Sequence, residues 1–413
     1  MIIQVIYKRF CGLDVHKEMV VACVMIREKD KAQKEIRTFR TMTSDLLVLY
    51  DWLLAHGVTH VAMESTGFYW KPIFNLLEGS FEVLLVNANH IKAVPGRKTD
   101  VKDCEWIADL LSHGLLKGSF IPPEPVRDLP DLTRYRKSLM DERIREINRL
   151  QKLLESANIK LSSVASDILG VSGKAMLEAL VSGNTSPEIL ADLARGKLRK
   201  KLSLLRDALQ GRFRAHHQFM LAQILSHLDF LDEAIEQISK EVENRIVPFL
   251  KEIELLKTIP GVDQKTAELI VAKIGVDMNR FPTHRHLASW AGLCPGNNES
   301  AGKRKSGKTR KGDRWLKRGL IESSWAISRT NNTYLSALYH RMARRRGKKK
   351  AVVAVAHAKL VTIYHMLKHK LPYHELGADY FDRLNITYIK NHFVNRLERL
   401  GYKVILEPSQ IAA

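Results

Sequence analysis

The sequence predicts an α/β domain, then a long helical region, then a basic and mainly helical C-terminal part. Three observations carry that prediction. Short apolar runs alternate with helix-spaced segments over the first 125 residues, leucine and isoleucine stripes take over beyond them, and cations crowd the last third. At 413 residues the chain exceeds one ordinary core, since domains run to roughly 150 residues. The expected divisions are residues 1–125, 126–250 and 251–413.

Taken in order, the runs at Gly12–Val15, Met19–Ile26, His60–Met63 and Phe81–Val86 read as strands. Ser44–His56 and Phe68–Leu77 carry apolar residues at helical spacing. Strands alternating with helices call for a central sheet in a layered α/β arrangement. The segment IPPEPVRDLP, Ile121–Pro130, breaks regular structure and reads as a linker. From Leu132 the pattern is helical, with Leu139, Ile144, Ile147, Leu150 and Leu154 recurring every three or four residues. A second stripe, Leu228, Leu231, Ile235, Ile238 and Val242, has the rhythm of a coiled coil or helical hairpin. Either these helices pair with each other, leaving Ser162–Leu209 as an insertion at the tip, or they pair with another subunit. Sequence leaves both open. Beyond residue 251 short helices alternate with glycine-containing loops, and Ala351–Leu371 reads as a buried helix preceded by the run RMARRRGKKK.

Lys and Arg number 66 against 45 Asp and Glu, a formal charge of +21. Such a chain repels itself unless a polyanion is its usual partner, so nucleic acid is expected. The longest apolar run near the start, Met19–Ile26, falls far below the ~20 residues of a spanning helix. No secretory signal is visible, and a cytoplasmic protein without a membrane partner is expected. Cys11, Cys23, Cys104 and Cys294 have no zinc-ligand spacing and read as reduced, mostly buried thiols.

Four acidic residues fall at predicted strand ends and a helix start: Asp14 in GLDVHK, Glu64 in AMESTG, and Asp100 and Asp103 in TDVKD. DVKDCEWIADLL reads as helical, which puts the last two on one helix face. Crowded carboxylates repel unless a cation joins them, and two divalent ions about 4 Å apart suit phosphoryl transfer. The plainer reading of Asp100 is a helix cap, with Asp103 favouring the helix dipole. Lone carboxylates among apolar residues, as at Asp14 and Glu64, are harder to explain structurally.

In the C-terminal part, LLKTIPGVDQKTAELIVAKIG resembles a helix-hairpin-helix. Its turn is Pro260-Gly261-Val262 and its second helix begins near Gln264, a form that offers backbone N–H groups to phosphate. Next, Lys303, Arg304, Lys305, Lys308, Arg310, Lys311, Arg314, Lys317 and Arg318 face a single acid, Asp313. Gly302, Gly307 and Gly312 between them let the backbone approach a phosphodiester. Ser300 and Ser306 both lie in this loop, and chemistry alone does not separate either from a turn or cap residue.

GLDVHK, AMESTGFYW and VNANHIKAVPGRKTDVKDCEWIADLL, in this order and spacing, resemble the DEDD, RuvC-like (RNase H-like) domain of the IS110 family of insertion-sequence transposases, a group that includes the Piv invertases. The four acidic positions of that domain fall on Asp14, Glu64, Asp100 and Asp103, and SAGK matches the family's serine-containing C-terminal signature. The resemblance implies Mg2+ on the four carboxylates and Ser300 as a nucleophile that forms a phosphoserine bond to DNA. Lys303 and Arg304 then look like phosphate clamps, beside Arg310, Lys311, the turn at Gly261 and, more weakly, Arg318. His16 and Lys17 stand near the scissile phosphate or in solvent. The family further implies a bridge-type guide RNA and a dimer or tetramer. Two other readings stay open: a RuvC-like junction nuclease using water, and a non-catalytic nucleic-acid scaffold.

Overall fold

The structure is a computed structural model that describes residues 6–28, 31–65, 67–88, 91, 102–121, 124–296 and 298–407. The chain divides into two compact units, residues 1–121 and 122–413.

The first unit is built on a five-stranded sheet of order β3-β2-β1-β4-β5. Its strands are β1 (Arg9–Val15), β2 (Met19–Glu28), β3 (Lys31–Arg40), β4 (His60–Glu64) and β5 (Glu82–Val86). β1 to β3 form an antiparallel meander, whereas β4 and β5 run parallel to β1. The central strands are apolar on both faces, as a sheet covered on both sides requires. Cys11, Leu13, Val15, Val61 and Met63 pack against α1 (Thr43–Ala55) and α2 (Trp70–Leu77). Phe10, Cys23, Ala62 and Val86 pack on the other face with Cys104, Ile107, Ala108 and Leu111 of α3 (Asp103–Ser112).

β3, KAQKEIRTFR, escapes the sequence pattern because it is mostly polar or charged. It is an edge strand, where charges discourage pairing with other chains. Its carboxylate Glu35 accepts from Trp52 Nε1 at 3.3 Å and meets His56 Nε2 at 3.1 Å, while Lys34 Nζ donates to Glu105 at 3.1 Å. The expected linker is also shorter than its prolines indicate. A helical turn occupies Glu124–Arg127 and α4 (Leu129–Ser156) starts within IPPEPVRDLP, because Pro130 sits in its first turn, where no amide donor is needed.

The second unit begins with α4 and α5 (Ala215–Ile246), which pair with each other within the chain. Asp128–Arg245 at 3.2 Å and His227–Glu146 at 2.9 Å fix their antiparallel register, with Arg143–Asp232 between them. Of the predicted stripe Leu228, Leu231 and Val242 are buried, and Ile235 and Ile238 half-buried. The insertion at the tip contains short helices at 161–164, 171–181, 187–192 and 202–209. Leu177, Leu190, Leu205 and Leu209 share a core there with Leu154, Leu221 and Leu228.

The remainder comprises α6 (Leu250–Lys257), α7 (Gln264–Ile274), α8 (His284–Trp290), a hairpin of β6 (Asn298–Ser300) and β7 (Lys303–Ser306), α9 (Arg314–Ile327), α10 (Tyr334–Arg346), α11 (Lys348–His369) and α12 (Ile386–Arg399). Among the described residues, α11 alone is long and apolar enough to cross a membrane, yet more than half of its apolar stretch is buried inside the protein. It packs against α8, α9 and α10 and is a core helix. Lys359 lies in its middle with no exposed surface, its Nζ donating to Ser323 Oγ at 2.8 Å.

Two measurements check these contacts. A Cβ on Gly12 would stand 2.2 Å from the Cys104 carbonyl oxygen and 2.5 Å from the Ala108 nitrogen, both backbone atoms of α3. Gly12→Ala is expected to lower stability in urea by ~3 kcal/mol, the upper end of overpacking costs. Burial pushes the Lys359 pKa down to about 7 from its ordinary 10.5. The folded pKa lies below the unfolded one, so the cost of the charge is fully present below pH 7 and fades as pH rises toward 10.5. Lys359→Met should raise stability at pH 7 by on the order of 1–3 kcal/mol, with a smaller gain in melts at pH 10.

Candidate functional site

Asp14 and Glu64 end two neighbouring parallel strands. The β1–β4 register pairs Leu13 with Met63, so each carboxylate follows that pair by one residue. Side chains alternate along a strand. Phe10 and Ala62 belong to the core under α3, so Asp14 and Glu64, an even number of residues further on, lie on that same face. Gly12 holds α3 against β1 two residues before Asp14. The α3 end that carries Asp103 is therefore near the strand end that carries Asp14, and the Asp14 charge acts on the Cys104 thiol. Asp14 is 23% exposed and meets His16 Nε2 at 3.0 Å; Asp103 is exposed and Glu64 half-buried.

α3 begins at Asp103, with Lys102, extended at ψ 145°, as its cap residue. No side chain caps α3, and Asp103 and Glu105 in its first turn complement the dipole. Asp100 itself lies outside the described residues, as do the side chains of Ser300 and Arg304. Among the described residues no three His, Cys, Asp or Glu side chains are gathered closely enough to hold an ion. Asp14, Glu64 and Asp103 are nevertheless hard oxygen donors on the α3 side of the sheet, which fits a divalent cation in donor type.

Behind Asp14 the structure joins three thiols that the sequence scatters. Cys11, Cys23 and Cys104 are buried and unoxidised; burial pushes the Cys11 thiol upward, and the hydrogen bond with Cys104, followed by burial, pushes the Cys23 thiol upward. Cys23 and Cys104 are packing groups of the α3 face, and Cys11 packs on the opposite face of β1.

In the second unit Ser300 is the last residue of β6 and pairs with Lys303 across a two-residue turn. Ala301 and Gly302 have φ 50° and 73°, the left-handed values that a tight hairpin of this twist requires. Lys303, Lys308, Arg310 and Lys311 are exposed around it, and Ser306 Oγ accepts from the Lys308 amide at 3.2 Å. Asp313, the single acid of the basic run, is turned inward. It accepts from the Trp315 and Leu316 amides at the start of α9 and pairs with the buried Lys273 at 3.1 Å. The cations of the run thus lose their nearest counter-charge. Sequence reading missed Lys273, because an isolated lysine on a helix gives no sign of burial.

Two glycines have structural duties that their sequence context did not reveal. A Cβ on Gly312 would lie 2.2 Å from the Gly292 nitrogen, so Gly312 serves backbone packing at the hairpin base. Gly261, φ 73°, would bring a Cβ to 2.8 Å from the Ser323 carbonyl oxygen, so it seats the α6–α7 turn on α9. α7 does begin at Gln264, but Asp263 caps it and takes the Thr266 amide at 2.9 Å. Arg318 is held within the protein by two bonds to Asp141, 2.6 and 2.8 Å, and one to Glu322, 2.8 Å.

Comparison with known proteins falls on the same two regions. Residues 11–159 match a family model of DEDD type for IS110 elements, described as a transposase. Residues 253–340 match one described as the transposase IS116/IS110/IS902 family. A transposase for insertion sequence element IS1328 from Yersinia enterocolitica is 24% identical over 63% of this chain and 69% of its own. An uncharacterized 43.6 kDa protein of insertion element IS110 from Streptomyces coelicolor is 28% identical over 66% and 72%. A pilin gene-inverting protein of Moraxella bovis is 30% identical over 29% and 38%. The DEDD match points to a divalent metal in the first unit. With both models carrying one family name on the carboxylate-bearing sheet and on the basic helical part, this chain belongs to the IS110 family of insertion-sequence transposases, enzymes of DNA transposition and recombination.

Proposed function

We propose that this transposase cuts and rejoins DNA at a composite site in which Asp14, Glu64, Asp100 and Asp103 hold Mg2+ and Ser300 is the nucleophile. The observation that carries this reading is the common sheet face of Asp14, Glu64 and Asp103. The sheet order, with an antiparallel meander joined to two parallel strands, supports a RuvC-like assignment for residues 1–125. The helical middle, 126–250, and the C-terminal part, 251–413, complete the proposed domains.

Mg2+, when bound, supplies Lewis-acid polarisation of a phosphodiester and neutralises the crowded carboxylates. Ser300 Oγ attacks phosphorus, a phosphoserine bond forms, and the bond to the leaving deoxyribose oxygen breaks. A carboxylate of the quartet accepts the hydroxyl proton, without which serine is a poor nucleophile. Lys303, Arg304, Arg310 and Lys311 neutralise the flanking phosphates, and the exposure of Lys303, Arg310 and Lys311 supports that role. Gly261 and Arg318 contribute by holding the helices behind this surface. Ser300 meets the carboxylates within one chain or across a dimer or tetramer. A bridge-type guide RNA chooses the target by base pairing, a partner compatible with the charge of +21.

Trapping of a covalent protein–DNA adduct, mapped by mass spectrometry, checks the nucleophile. Wild type should give an adduct at Ser300 and Ser300→Ala none; an adduct elsewhere overturns the assignment. Asp14→Asn should cut strand cleavage by at least about 100-fold while thermal melting stays unchanged. Cleavage that survives Ser300→Ala but not Asp14→Asn would instead establish water as the nucleophile.

A further inference from the structure

Six cations stand at the elbow between α10 and α11, outside the basic run discussed above and past residue 340, where the second family match ends. Arg344, Arg345 and Arg346 form the last turn of α10, and Lys348, Lys349 and Lys350 the first turn of α11. Gly347, with φ 84°, turns the chain between them. All six are exposed, and none has an ion-pair or hydrogen-bond partner for its side chain among the described residues. The surrounding sequence offers no relief, since no Asp or Glu occurs between Glu322 and Glu375.

The placement works against local stability. Arginines at the end of α10 complement the helix dipole, but three lysines at the start of α11 oppose it, and that first turn holds no acid. Like charges on successive residues add mutual repulsion. A surface kept in this form, within a segment otherwise folded around the buried face of α11, is matched to an external polyanion. The contrast with Arg318 is informative: its guanidinium is consumed by Asp141 and Glu322, whereas the elbow has no internal acid to consume it.

We propose that the Arg344–Lys350 elbow is a docking surface for the sugar–phosphate backbone of duplex DNA, separate from the Ser300 hairpin. Duplex DNA is the chosen occupant because its phosphates form a dense row of charge that a compact cluster of cations neutralises several at a time. The proposal rests on the reading of this chain as a protein that acts on DNA.

The test measures binding of the full chain to duplex DNA across a range of salt, comparing wild type with the variant Lys348→Gln, Lys349→Gln, Lys350→Gln. Each lost phosphate contact lowers the salt slope by about 0.9. The variant should bind at least about tenfold more weakly at low salt, with a slope shallower by roughly 2 to 3. Its melting temperature should hold or rise, since unfavourable charges leave a helix start; a merely structural role would lower it. Equal affinity and slope for the two proteins would overturn the proposal while leaving the Ser300 reading intact. A defect confined to an RNA probe would also overturn it. Absence of DNA binding by wild type would remove the functional reading and this one together.

Discussion

Everything the first unit presents depends on the absence of a side chain at Gly12. The α3 backbone occupies the space where a Cβ would stand, and this contact ties the helix to the central strand of the sheet. β1 is also the only described strand with one antiparallel and one parallel partner, β2 and β4. A carboxylate at its end therefore has a second strand end beside it and a helix start above it. The same approach buries Cys23 and Cys104 on the face that carries the carboxylates, which excludes water from one side of it.

The second unit solves a different problem, that of carrying many cations on a fold that must still pack. Some are neutralised internally: Arg136 is buried against Glu268 at 2.6 Å, and Lys273 against Asp313. Breaking such a pair leaves an unpaired buried charge, so these contacts fix which helices meet. Lys359 donates to a serine hydroxyl, and desolvation depresses its pKa. By withdrawing acids into these pairs the fold leaves the hairpin around Ser300 and the α10–α11 elbow positively charged. Surface potential here is a product of where the few nearby acids are spent, rather than of how many cations the sequence contains.

The sequence by itself determined the α/β start, both long helices, and the buried character of α11, because each has enough apolar residues at a regular period to be read without partners. Asp14 and Glu64 also stand out in the sequence, through their positions beside apolar strand residues. Tertiary structure decided what periodicity does not encode. β3 forms because β2 offers it a ladder, although its residues are mostly polar or charged. α4 and α5 pair within the chain because their ion pairs and leucines face each other, a choice that two separate stripes leave open. α3 begins at Asp103, a boundary set by the extended Lys102. Gly261 and Gly312 look like backbone freedom offered to a ligand, yet each is required by another backbone at van der Waals distance. Spacing along a chain records only neighbours in sequence, whereas these outcomes depend on atoms brought close from elsewhere in the fold.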